Sequence, residues 1–225
     1  MTPNSIINDK NMLAERFGVP KENISQSFLR AEALLATQDS VKLYFNKNEN
    51  TANIATQKLL KSSDSFIITH LAMCLKKVAS DTPANHVSAI LHTYANPSVF
   101  YSSGEAAALN AVYNGQTTLK ADNVDFTPAL QNRWFERVHT SQQGTTTTAY
   151  VNASSADATT TIARSERTNG LDGFFPVDNI GFNGDSKFDV VVDLGTSINL
   201  AGTSSSNYLV VMAIGYLVSN KQLTF

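Results

Sequence analysis

Several groups of side chains in this chain have types and spacings that chemistry can use. The segment "SFIITHLAMCLKK", Ser65 to Lys77, carries the only cysteine, Cys74, and one of four histidines, His70. A thiol and an imidazole could form a nucleophile–base pair or two ligands of a metal site. On a strand, however, they share a face with Phe66, Ile68 and Ala72. That apolar company favours a small buried thiol and a hydrogen-bonded interior imidazole. His86 and His92 would also share a strand face, but they are six residues apart and no carboxylate flanks them, which is poor metal spacing.

Two acidic groups come next. Asp185, Asp189 and Asp193 are spaced four apart and would line one side of a strand, as a cation-binding or acid–base face. With Phe188, Val190 and Val192 pointing the other way, the favoured reading is the solvated side of an outer strand. Asp122, Asp125 and Glu136, close to Trp134 and Arg137, could furnish a sugar site with an aromatic platform. In "RWFERV", Trp134 and Phe135 would lie on opposite faces of a strand, and core or interface packing is favoured over a ligand platform. Nucleophile-elbow, phosphate-loop, zinc-protease and calcium-loop signatures are absent from the sequence. No catalytic residue, metal ligand or cofactor site is therefore assigned, and no enzyme is expected.

The totals narrow the class. A chain of 225 residues with formal charge −2 suits one domain, or one domain with an arm. Charged residues are only 16% of the chain, and Thr, Ser, Asn and Ala fill the deficit. Such a surface can be covered by neighbours at little desolvation cost, a weak pointer to assembly. The near-neutral balance argues against strong nucleic-acid binding, which needs several Lys or Arg facing phosphates. One cysteine excludes an internal disulfide and any cysteine-based zinc site. The opening "MTPNSIINDKNM" lacks a basic-then-apolar leader pattern, and no apolar run reaches the ~18 residues of a helical membrane span.

The elements that must position these residues fall into zones. Residues 1–37 read as a helical arm: "NMLAERFGV" ends near Gly18-Val19-Pro20, and "SQSFLRAEALLA" puts Phe28, Ala31, Leu34 and Leu35 on one helical face. Residues 38–225 read as a β-sandwich. "SVKLYFNK" alternates with Val41, Leu43 and Phe45 inward; "HVSAILHTY", "QTTLKA" and "RWFERVH" are further strands. "GEAAALNAVYNG" is a helix stopped by Asn114-Gly115. Ser65–Lys77 is a strand, with a helix over Leu71–Val78 as the competing assignment. A Thr- and Ser-rich tract at about 140–169 has too little apolar matter for a core and reads as a long outer loop. Asn183-Gly184-Asp185 marks a turn between strands. "NYLVVMAIGYLV" is apolar at both alternating sets, so it must be covered on both faces, and Gly215 marks a bulge or close approach.

Several of these segments also carry a resemblance. "DSFIITHLAMCLKK", "TYANPSVF" followed by "GEAAALNAVYNG", "RWFERV" and the ending "GTSSSNYLVVMAIGYLV" resemble structural proteins of bacterial viruses built on a jelly-roll or related β-sandwich. The likeness runs from about Asp64 to Val218 and consists of packing and turn patterns. It implies a mainly β, jelly-roll-like antiparallel sandwich with an N-terminal helical arm and one or two short inserted helices. It further implies a capsid or capsid-associated subunit, with no cofactor and no reaction, found in the virion after assembly in the host cytoplasm. The implied partners are itself, as a homo-oligomer, and other virion proteins. The arm's Phe28, Leu34 and Leu35, together with Trp134 and Phe135, are the expected contact residues. A basic arm of the kind many capsid proteins turn to the genome is missing. The alternative is a carbohydrate- or receptor-binding β-sandwich, such as a spike or fibre head; a hydrolase using Asp185, Asp189 and Asp193 ranks third.

Overall fold

The computed structural model describes residues 3–46, 56–97, 99–101, 104–122, 124–138, 173–200 and 206–223. A helix α1 (Pro3–Phe17) is followed by strands β1 (Ile24–Leu35), β2 (Gln38–Tyr44) and β3 (Ser65–Val78). A short helix α2 (Pro83–Ser88), strand β4 (Leu91–His92) and helix α3 (Glu105–Asn114) come next. Strands β5 (Gln116–Ala121), β6 (Val124–Asp125) and β7 (Leu130–Gln131) lead to a 3-10 turn over Asn132–Phe135. The chain closes with β8 (Phe174–Asn183), β9 (Phe188–Ile198) and β10 (Ser206–Val218).

Pairing is nested and antiparallel throughout. β1 pairs with β10, β2 with β9, β3 with β8, and β5 with β6 and β7. A long hairpin paired in this way and rolled over on itself gives two facing sheets, the jelly-roll arrangement. One sheet runs β1-β10-β3, with β4 and β8 sharing the far side of β3; the other runs β2-β9-β5, with β6 and β7 beyond β5. Between them lies one apolar core that includes Leu29, Leu43, Phe66, Met73, Phe182, Phe188, Val190 and Leu209. α3 closes it with Leu109, Val112 and Tyr113. The expected strands at Val41–Phe45, Ser65–Lys77 and Gln116–Ala121, the helix at Glu105–Asn114 and the turn at Asn183–Asp185 are all present.

Some local readings are corrected. The segment expected as a helix around Phe28, Ala31, Leu34 and Leu35 is strand β1, paired along its whole length with β10. The alternation Leu29, Ala31, Ala33, Leu35 was available beside the helical spacing, and a full-length partner strand decided between them. The helical arm of residues 1–37 therefore shrinks to α1, and the sandwich begins at Ile24. α1 does not reach away: Leu13, Ala14 and Phe17 pack on Ile24, Ile67, Tyr216, Val218 and Leu223 of the same domain. "HVSAILHTY" is not one strand, because Thr82 caps α2 with Pro83 in its first turn and only Leu91 and His92 pair. "RWFERV" is a 3-10 turn rather than a strand. The tract at about 140–169 lies outside the described residues.

The faces of β3 also differ from simple alternation. Its register against β10 shifts between Ile214 and Gly215, leaving Thr69 as the extra residue, whose Oγ1 donates to the Ile214 carbonyl at 3.0 Å. Such a bulge reverses the parity of everything beyond it. Phe66 and Ile68 face the core before it, and Leu71, Met73 and Leu75 after it, while Ile67, His70, Ala72 and Cys74 face outward. Gly215 is where β10 crosses this bulge: an added Cβ would clash with the Ile67 carbonyl oxygen, far inside van der Waals contact distance. Gly215→Ala is expected to cost about 2 kcal/mol in urea unfolding, the scale of an overpacked interior site. Wild-type stability in that variant would contradict the bulge.

Candidate functional site

The outer face of the β1-β10-β3 sheet holds the most unusual side chains in the structure. Because opposed residues of antiparallel strands share a face, its rows can be read from the register. Phe28, Ile214 and His70 form one row; Arg30, Met212 and Ala72 the next; then Glu32, Val210 and Cys74; then Leu34, Tyr208 and Lys76. α1 covers one end, over Tyr216 and Val218. At the other end, α2 and a polar cluster cover Tyr208. Between them Phe28 is 47% exposed, with Met212 and Ile214 half-buried, and Leu34, in the Tyr208 row, is 41% exposed. The Lys58 ammonium sits 4.1 Å over the Phe28 ring.

In the polar cluster Glu32 and Lys76 are both fully buried and paired with each other. Arg30 donates to Glu32 Oε1 from Nε and Nη2, both at 2.7 Å, and Thr56 Oγ1 donates to the same oxygen. Lys76 Nζ also donates to His86 Nδ1 at 2.9 Å. An ammonium has no acceptor, so this bond fixes the imidazole: Nδ1 accepts, and Nε2–H donates to Asp81 Oδ1 at 2.6 Å. The Tyr208 hydroxyl donates to the same oxygen at 3.1 Å. Burial lowers the Lys76 pKa, with the Glu32 bond opposing the shift. Hydrogen bonds from His86 and then Tyr208 hold the Asp81 carboxyl below the usual carboxylate range. Burial, then Asp81, pushes the Tyr208 phenol up to about 12. Among the described residues, Glu32 and Lys76 form a buried ion pair whose hydrogen bonds are met by Arg30, Thr56 and His86, while Asp81 at its outer edge is exposed.

The next lysine, Lys77, points the opposite way. It donates to Glu105 Oε2 at 2.8 Å and to the Val99 carbonyl at 3.0 Å, while Asn207 Nδ2 donates to Glu105 Oε1 at 2.7 Å. Glu105 opens α3, where a carboxylate also meets the positive end of the helix dipole.

The sites singled out from sequence are dispersed. Cys74 is buried and its thiol is pushed up to about 12 by that burial, which leaves it a poor nucleophile; His70 bonds the neighbouring Thr69 hydroxyl at 3.0 Å. His86 and His92 sit on different elements, and the ring of His92 meets Phe100 edge-on. Asp185 lies in the turn before β9. Asp189 and Asp193 are on the outer side of β9, but Asp189 is buried rather than solvated, 3.5 Å from Lys187 Nζ and opposite Lys120. One Asp189 oxygen is buried without a partner among the described residues, and the two lysines make the place unsuited to a cation. Asp122 and Asp125 cap the β5–β6 end, Asp125 paired with Lys120 at 3.0 Å. Glu136, paired with Arg133 at 3.4 Å, follows the 3-10 turn at the opposite end of β5, so the three acids do not converge. Among the described residues no group of three or more His, Cys, Asp or Glu could hold a metal. No described helix is long and apolar enough to cross a membrane.

Of the expected contact residues, Leu35 and Phe135 are buried in the sandwich core, and Phe28, Leu34 and Trp134 present surface. Trp134 is 42% exposed and stacks on Phe175, ring centres 4.8 Å apart. Phe175 in turn lines an open groove of about 460 Å³ between β8 and the β6–β7 segment, together with Phe126, Leu130, Pro176, Arg16 and Asp178.

Comparison with protein-family models, with curated proteins and with solved structures finds no match.

Removing one member of the buried pair strands the other. Lys76→Met and Glu32→Leu should each cost about 3–5 kcal/mol in urea unfolding, and the double variant much less than their sum. Additive losses would show that the pair is not coupled.

Proposed function

We propose that this chain is a virion structural protein, a capsid or capsid-associated subunit that assembles through symmetric contacts between copies and with other virion proteins. The observation that carries this reading is the outer face of the β1-β10-β3 sheet, where Phe28, Met212 and Ile214 leave an apolar stripe half open between α1 and the polar cluster, with Leu34 exposed at the cluster end. A solvated sheet face alternates to polar residues; one left apolar is built to be covered. The nested two-sheet sandwich is an architecture that viral shells use, and the sequence resemblance points the same way. Because α1 is folded on its own domain, contact is assigned to the sheet face and to Trp134 rather than to an extended arm. Function in this reading is geometric, repeated by symmetry, and involves no reaction and no cofactor.

The second reading, a carbohydrate- or receptor-binding head, draws on one feature: an exposed Trp134 stacked on Phe175 at the edge of an open groove. Flat aromatic faces beside polar groups suit sugar rings.

Sedimentation velocity over a concentration series separates the two. The subunit reading predicts species that grow with concentration, and a Phe28→Lys, Leu34→Lys variant that stays monomeric with an unchanged melting temperature. A strict monomer at every concentration, together with glycan-array binding that Trp134→Ala abolishes, would transfer the assignment to the second reading.

A further inference from the structure

α2 and its flanks, residues 79–90, cover the buried Lys76–Glu32 pair with little apolar hold of their own. Within α2 only His86 is buried, Val87 is 68% exposed, and Ala89 after it packs partly on Val78 and Tyr208. Thr82 caps Asn85, and the Asn85 side chain bonds Ser80, both within the segment. Toward the sheet, Asp81 accepts from the Tyr208 hydroxyl, and His86 is the one side chain of α2 buried against it. Its ring stands edge-on to Tyr208 with centres 4.9 Å apart, and both its nitrogens are engaged, one by Lys76 and one by Asp81.

We propose that His86 is an acid-released pin: adding a proton to its imidazole frees residues 79–90 from the sheet and uncovers the Lys76–Glu32 end of the outer face. The groups facing it come from every packed element. Lys76 lies on β3, Asp81 on the segment before α2, Glu32 on β1 at 4.0 Å from Nδ1, and Tyr208 on β10, with Arg30 behind Glu32. With a neutral imidazole, two cations (Arg30, Lys76) balance two carboxylates (Glu32, Asp81). A further proton leaves a net positive charge at a buried site and turns Nδ1 from the acceptor of the Lys76 ammonium into a donor aimed at it. The Lys76 proton could pass to His86, but that leaves the total unchanged and gives no relief once another proton arrives. Once the cover lifts, the imidazolium joins Asp81, whose side chain is already 58% exposed, in water. The cover is therefore held at neutral pH and released on acidification, when the imidazole takes up its second proton.

The test is hydrogen–deuterium exchange of the full chain at about pH 7.5 and about pH 5.5, corrected for intrinsic rates. Exchange in residues 79–91 should rise roughly tenfold or more at the lower pH, with the paired amides of β1, β3 and β10 unchanged. His86→Gln offers an oxygen to Lys76 and an N–H to Asp81 without titrating, so its segment should respond to neither pH. Asp81→Asn should keep the acid response. A flat wild-type segment, an equal rise in His86→Gln, or a response lost only in Asp81→Asn would each overturn the proposal. If His86→Gln does not fold, nitrogen NMR of the wild-type ring decides. The Nε2–H tautomer should give way to imidazolium over the same pH range in which the segment opens. Imidazolium under a still-protected segment would refute the pin.

Discussion

Strand β10 must be covered on both of its faces, and much of the molecule follows from that. Its odd-numbered residues Leu209, Val211 and Ala213 face the sandwich core; Tyr208, Val210, Met212, Ile214, Tyr216 and Val218 face outward and are scarcely less apolar. At roughly 25 cal/mol per Å² of apolar area, leaving such a face in water would forgo several kcal/mol. Two devices share the covering. α1 lays Leu13, Ala14 and Phe17 over Tyr216 and Val218. α2 and the polar cluster close over Tyr208. The middle, around Met212 and Ile214, is flanked by Phe28, Arg30, His70 and Ala72 and stays half open.

Polar groups in this cover fix geometry. Lys76 and Lys77 are neighbours on β3, yet each has its own buried carboxylate, Glu32 on the outer face and Glu105 toward α3. A one-residue slip of β3 would turn both ammoniums away from their partners and bring core residues outward. The bulge at Thr69 makes such a check necessary, since a strand that changes parity halfway is not held in register by alternation alone. Placing two charged pairs at the far end of β3, past the irregularity, ties the second half of the strand to one register.

The strands that were legible in the sequence have a one-sided or uniform pattern: Val41 and Leu43 in β2 with Phe45 just after it, and the doubly apolar run of β10. α3 was legible from Gly104, Glu105 and the Asn114-Gly115 stop. β1 was not, because Phe28, Ala31, Leu34 and Leu35 satisfy helical spacing as well as a strand with two outward hydrophobes, and only the partner β10 breaks the tie. The parity change in β3 left no local trace beyond a threonine amid apolar residues. The polar cluster was invisible for a different reason. Glu32, Lys76, Asp81, His86 and Tyr208 are brought together by the pairing of β1 and β3 with β10, and no spacing along the chain encodes that meeting. The one local hint was a charge inside otherwise apolar strands, in "AEALL" and "CLKKV".

The central claim is that the half-open stripe on the β1-β10-β3 sheet is a surface made to be covered by another molecule of the assembly. Hydroxyl-radical footprinting of the intact chain at rising protein concentration addresses it residue by residue. Oxidation of Phe28 and Met212 should fall as concentration rises, while Tyr101, 70% exposed and away from that face, keeps its reactivity. Labelling of Phe28 and Met212 that stays constant from dilute to concentrated solution would contradict the account.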